Sequence, residues 1–289
     1  MTINDFAGEI RDNLLKEVEG IEEIRVKNVL KNNSVYLMAL IIVEENSNIS
    51  PTIYMEQFYD LYQDGEPIKE ITEKVKEKYF LSRIEQRVDF GFVQCWDKIK
   101  SLVAYRVINV ELNQELLKKI PHKEVMDLAK VFYISLECAS GSILIDYDLC
   151  KKWNVDINDL LRVAEENTPR ISPAQLKSIK EVIEEMVGHK MDIPDELYVL
   201  SNEKRIFGAA TMFYPESMEL VAEKLQSSFY ILPSSIHELV IVPVAKGDSV
   251  CELRTMVEEV NNTDVDAVDI LGNNVYYYDQ EKKELSMAV

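Results

Sequence analysis

The chain has 289 residues, 47% hydrophobic and 29% charged, which is the balance of a globular protein of one large or two ordinary domains and not of a disordered chain. Lys and Arg number 32 against 51 Asp and Glu, a formal charge of −19, which argues against direct nucleic-acid binding because phosphate backbones are held by clustered cations. No stretch approaches the ~18 consecutive apolar residues of a membrane helix, and the nine glycines are too dispersed for a G-x-G-x-x-G or Walker phosphate loop.

The opening segment MTINDFAGEIRDNLLKEVEG is acidic where a secretory signal is basic, and no long apolar core follows it, so a cytoplasmic protein is expected. Within it, Phe6, Ile10, Leu14 and Val18 recur at intervals of four and predict a helix closed by Gly20. Val26–Leu30 and Val35–Val43 predict a hairpin turning through Asn32 and Asn33. Pro51 introduces a helix carrying Tyr54, Phe58 and Tyr62 on one side, and Pro67 starts another through Phe80.

The β-branched run Ser101–Val110 predicts a strand, and Lys130–Glu137 with Ser142–Tyr147 a strand pair. The pattern then changes to helices over 157–166 and 174–187, joined by ENTPRISP as a loop. Strands follow at Leu197–Leu200 and Ile206–Phe213, a helix at 216–225, strands at Phe229–Leu232 and Leu239–Val244, a helix at 250–260, and a closing hairpin that turns at Gln280–Lys282. Irregular alternation of this kind indicates an α+β fold of mixed, mostly antiparallel sheets with packed helices. The helical middle divides it into an N-terminal α+β subdomain (1–150), a helical connector (151–190) and a C-terminal α+β subdomain (191–289).

Chemistry-bearing residues are sparse. Cys95, Cys138, Cys150 and Cys251 lie far apart in a chain large enough to fold on its core, and read as buried, reduced thiols. His122, His189 and His237 form no H-x-x-x-H pair and no C-x-x-C exists, so no metal or cofactor is expected. The acidic groups at Asp146–Asp148 and Asp264–Asp269 lack the glycine and terminal glutamate of a calcium loop. In ILPSSIHELVIVP, Ser234, Ser235, His237 and Glu238 are the raw material of a hydrolase, yet hydroxyls two or three residues from an imidazole commonly serve a turn backbone instead. Asp195, after Pro194, is the carboxylate for a divalent-metal version of that reading, although no Asp/Glu-x-Lys follows nearby. Arg170 is a candidate anion ligand, with tying of loop carbonyls as the alternative, and Tyr276 and Tyr278 are candidate interface residues.

The segments PTIYMEQFYDLYQDG, VFYISLE, ENTPR, YVLSNEKRIFGAATMFYP, FYILPSSIHELVIVP and NVYYYD together resemble an uncharacterised bacterial family, a domain of unknown function found in gut anaerobes and often encoded on integrative conjugative elements. The resemblance implies no activity or catalytic residue. It implies a mobile-element context, in which acidic proteins blunt host defences by mimicking nucleic acid. The expected function is therefore a non-catalytic protein-binding module, an anti-defence inhibitor whose partner is a basic nucleic-acid-binding protein. The alternative is a hydrolase using His237 with Ser234 or Ser235, or a carboxylate-bound divalent metal.

Overall fold

A computed structural model describes residues 1–45, 47, 49–83, 91–136, 141–190, 197–244 and 249–288. Two compact units are found, one formed by 1–31 with 35–91 and the other by 32–34 with 92–289. The helical stretch 151–190 lies within the second unit. The fold is α+β, and every strand pairing among the described residues is antiparallel.

The first unit comprises α1 (Ile3–Glu17), β1 (Ile21–Leu30), β2 (Tyr36–Glu44), β3 (Thr52–Tyr54), α2 (Glu56–Gln63) and α3 (Ile68–Ser82), its strands forming one sheet in the order β1-β2-β3. A capping box starts α1: the Thr2 hydroxyl accepts from the Asp5 N–H and donates to the Asp5 carboxylate, which holds that carboxyl below its usual range. The apolar stripe expected of α1 is buried at Phe6, Ile10 and Leu14 against Leu40 and Ile42 of β2 and Ile71 and Val75 of α3. Asn33 takes φ 59° at the hairpin turn, as the asparagine pair led us to expect. Glu44 is buried at the end of β2, where it accepts from the Tyr79 hydroxyl at 2.8 Å and from Arg83 Nε at 3.0 Å. Burial, with that carboxylate beside it, pushes the Tyr79 phenol up to about 12.

The second unit begins with α4 (Trp96–Ile99), β4 (Val103–Asn109), α5 (Gln114–Leu117), β5 (His122–Val125), β6 (Leu128–Leu136) and β7 (Gly141–Leu144). These strands form a four-stranded sheet in which β6 is flanked by β4 on one edge and by β5 and then β7 on the other. Helices α6 (Tyr147–Trp153) and α7 (Ile157–Ile171) follow. The outer edge of β4 is covered by α7: Thr168 Oγ1 accepts the Tyr105 N–H at 3.0 Å, and Asn167 Nδ2 donates to the carbonyls of Lys100 and Val103.

The remaining elements are β8 (Ala174–Ser178), α8 (Ile179–Val187), β9 (Tyr198–Asn202), α9 (Ser217–Leu225), β10 (Phe229–Pro233), β11 (Leu239–Pro243), α10 (Val250–Thr263), β12 (Tyr276–Asp279) and β13 (Glu284–Met287). Their strands form a six-stranded sheet in the order β13-β12-β10-β11-β9-β8.

Four segments depart from the sequence-based expectation. ENTPR belongs to α7, which runs through Pro169 because the buried Asn167 and Thr168 side chains fasten that turn to β4. Ala174–Ser178 pairs with β9 as a strand, and the helix begins only where Ser178 caps it by accepting the Glu181 N–H. Residues 52–54 form β3 ahead of the helix. Gly208–Phe213 is a 3₁₀ turn, entered from Phe207 in the left-handed region, and not a strand. Cys138, Pro194, Asp195 and the last residue of the strand expected over Lys130–Glu137 lie outside the described residues.

Candidate functional site

The connector between β10 and β11 holds the serine and histidine candidates, and its hydrogen bonds define what they can do. Ser235 N–H donates to the Glu238 carbonyl at 3.1 Å, closing a tight turn. Ser235 Oγ accepts the backbone N–H of His237 at 3.0 Å, so that hydroxyl meets the histidine main chain and not its ring. His237 Nδ1 accepts the N–H of Phe207 at 3.2 Å, which requires a bare lone pair there and places the ring proton on Nε2, 3.3 Å from Asp269 Oδ1. Both ring nitrogens are therefore engaged, one by backbone and one by carboxylate. Ser234 and Glu238 are half-buried on the same connector.

Those bonds lead to Phe207. A bulky residue at φ 57° is strained, and here the strain is held by the bond to His237 and by the next residue. Gly208 is packed so closely that a Cβ would stand 2.3 Å from the His237 carbonyl oxygen. The result is an aromatic side chain fixed between three partners: the His237 ring stacks on it at 5.8 Å, the Tyr133 ring meets it edge-on at 5.7 Å, and the Arg106 guanidinium lies 4.5 Å from its centroid. Phe207 and Tyr133 line a recess of about 650 Å³ with Ser135, Ser142, Ser172 and Lys204.

Because His237 serves Phe207 through Nδ1, the two amide replacements should differ. His237→Asn retains an acceptor near Nδ1, whereas His237→Gln places its amide near Nε2 and leaves the Phe207 N–H without an acceptor. His237→Gln is expected to lose about 1–2 kcal/mol and His237→Asn roughly half as much, read from urea unfolding midpoints.

The other candidates lie elsewhere. Arg170 Nη2 donates to the Ser101 carbonyl at 2.7 Å and to Asn167 Oδ1 at 3.1 Å, joining α7 to the start of β4. Tyr276 is fully buried, its hydroxyl donating to Asp127 Oδ1 at 2.9 Å, and Tyr278 is buried against Phe229. Asp146 caps α6 by accepting the Leu149 N–H. Cys150 is buried, which pushes its thiol up to about 11 with Asp146 contributing, while Cys95 and Cys251 are exposed. Among the described residues no group of three or more His, Cys, Asp or Glu side chains is placed to hold a metal ion.

A second concavity of about 570 Å³ lies between α7 and α9, lined by Glu165, Glu216, Glu219 and Glu223 with Pro169, Tyr214 and Leu220. Glu165 is answered by Lys130 and Glu219 by Lys283, both at 2.8 Å, whereas Glu216 and Glu223 have no salt bridge among the described residues. Leu220 adds an apolar side chain that is 48% exposed. Neither this groove nor Arg106 was singled out from sequence. An arginine inside the apolar run VAYRVIN was the one local signal available for the recess.

The model of one protein family aligns with residues 3–280, nearly the whole chain. The chain belongs to the family of unknown function DUF5688. The match bears out the resemblance to a domain of unknown function read from the sequence segments. No curated protein and no solved structure matches this DUF5688 member. Among the described residues, no helix is long and apolar enough to cross a membrane.

Proposed function

We propose that this DUF5688 member is a non-catalytic binding module of the cytoplasm whose acidic groove receives a basic segment of a protein partner. The observation that carries this reading is the groove between α7 and α9, where four glutamates line the wall beside an exposed leucine and two of them make no salt bridge among the described residues. The chain's charge of −19 supports it, since a net field of one sign speeds encounter with a partner of the other. The connector supports it as well: a serine hydrolase needs a hydroxyl on a free imidazole nitrogen, and here the ring nitrogens serve Phe207 and Asp269. The partner class that fits is a basic nucleic-acid-binding protein. An anti-defence role on a mobile element is the extension of that reading, with the groove set against a basic nucleic-acid channel.

The test uses a fluorescent Lys/Arg-rich peptide titrated against the full chain at low and moderate salt. Binding should weaken as salt screens the charges. The Glu216→Lys/Glu223→Lys double variant should weaken it by at least about tenfold, roughly 1.4 kcal/mol. Equal affinity for both proteins, or no binding by the original chain, overturns the proposal.

A further inference from the structure

The recess beside β6 has the opposite electrostatic character, and its origin lies in the sheet. Residues facing each other across paired strands share a face, and successive residues alternate. Arg106 faces Val131, Ala104 faces Tyr133, and Ser135 faces Ser142, so Arg106, Tyr133, Ser135 and Ser142 project from one side. The last three line the recess, which Lys204 and Ser172 complete, and among the described residues none that lines it is a carboxylate.

The guanidinium of Arg106 is unanswered. Its Nε is sealed from solvent with no acceptor, and no described residue gives the side chain a hydrogen bond or salt bridge. A buried charged donor without a partner is among the costlier arrangements a fold can contain. The neighbouring cation on the sheet shows the usual solution. Lys130 faces Val107, one step along and therefore on the opposite side, and it pairs with Glu165 at 2.8 Å while lying 4.7 Å from the Tyr105 ring. Arg106 has the ring, Phe207 at 4.5 Å, and has no carboxylate partner among the described residues. The desolvation that disfavours its charge is the condition under which an incoming anion is held most strongly.

We propose that the recess is a binding site for a small organic oxyanion, a carboxylate or phosphate ester, with Arg106 as its counter-charge. The fork of the guanidinium suits either head group. Lys204 supplies a second cation at the rim, the Tyr133, Ser135 and Ser142 hydroxyls can donate to the remaining oxygens, and Phe207 offers a flat apolar surface to the ligand body. The volume of about 650 Å³ is that of a metabolite-sized ligand and not of a polymer. The strained backbone at Phe207, fixed by His237, keeps the aromatic wall in place before the ligand arrives.

The experiment measures melting temperature and calorimetric affinity for the full chain with inorganic phosphate, phenyl phosphate and benzoate, at constant ionic strength with chloride as control. At least one oxyanion should raise the melting temperature above the chloride control, and the one that does so identifies the head group. Arg106→Met, which keeps the length of the stem, should lose at least about tenfold in affinity and melt close to the original chain without ligand, because it removes an Nε–H sealed without an acceptor together with the contact to the Phe207 ring. Lys204→Gln, at an exposed rim position, should weaken binding severalfold with unchanged stability, which keeps the test decisive if Arg106→Met does not fold. No stabilisation by any oxyanion, or affinities unchanged in a folded variant, overturns the assignment.

Discussion

Gly208→Ala is expected to destabilise the second unit by about 3 kcal/mol, at the upper end of what overpacking a tight interior costs. An alanine Cβ there would stand 2.1 Å from Ser201 Oγ, 2.3 Å from the His237 carbonyl oxygen and 2.9 Å from the Asn202 nitrogen. The serine cannot simply turn away, since its hydroxyl donates to that same His237 carbonyl at 2.7 Å. The other two atoms are backbone, one in β9 and one in the connector between β10 and β11, and close-packed interiors do not yield by an ångström without moving an element. The movement that relieves the clash carries His237 away from Phe207, so the aromatic wall of the recess should be lost with the stability. Gly8→Ala is the control: it sits within α1 with nothing near its would-be Cβ, and should gain about 1 kcal/mol from helix propensity. Urea unfolding of both variants checks the pair, and a loss under 1 kcal/mol at Gly208 would contradict the close approach.

The same contrast explains what the sequence disclosed. Where local pattern and tertiary demand agree, the reading holds: the spacing of Phe6, Ile10 and Leu14, the asparagine turn and the terminal hairpin β12–β13 are properties of short windows. Where they conflict, packing decides. Apolar residues from Leu176 to Val187 fit a single helix, but Ala174–Ser178 completes its backbone bonds on β9, and the helix waits for the cap at Ser178. Pro169 reads as a loop, yet Asn167 and Thr168 spend their side chains on β4 and hold the turn helical around it.

The site was legible only in part, for a related reason. ILPSSIHELVIVP was conspicuous as a string, and His237 does organise its surroundings. Its ring partners are the Phe207 N–H, 30 positions earlier, and Asp269, 32 positions later, and no window reaches that far. Arg106 is harder still, because what distinguishes it is an Nε without an acceptor among the described residues, which becomes a fact only after β4, β6 and Phe207 have assembled. The charge of −19 summed over the chain conceals a recess lined by lysine and hydroxyls alongside one lined by four glutamates, both in the second unit.

In the first unit the largest effect is expected at Phe6, where Phe6→Ala should cost about 3–5 kcal/mol. The side chain is fully buried and its ring lies 5.5 Å from that of Tyr59 and 5.4 Å from that of Tyr62. Those contacts tie α1 to α2, so truncation removes both the transferred apolar area and aromatic pairings worth about 0.5–1.5 kcal/mol. Collapse cannot fill the space cheaply. Further along the same face, α1 is held by Ile10 and Leu14 in the core cluster that includes Leu40 and Ile42 of β2 and Ile71 and Val75 of α3. Far-UV circular dichroism in urea registers the helices of both units, α1, α2 and α3 of this one among them, so a loss confined to this unit appears as a dichroism change that precedes the tryptophan change. Both tryptophans belong to the second, where Trp96 and Trp153 pack with ring centroids 5.7 Å apart and Trp153 Nε1 donates to the Val93 carbonyl. Their emission therefore reports the second unit separately. In Phe6→Ala the dichroism midpoint should fall by the amount stated, and a tryptophan midpoint that fell equally would mean that the two units unfold as one.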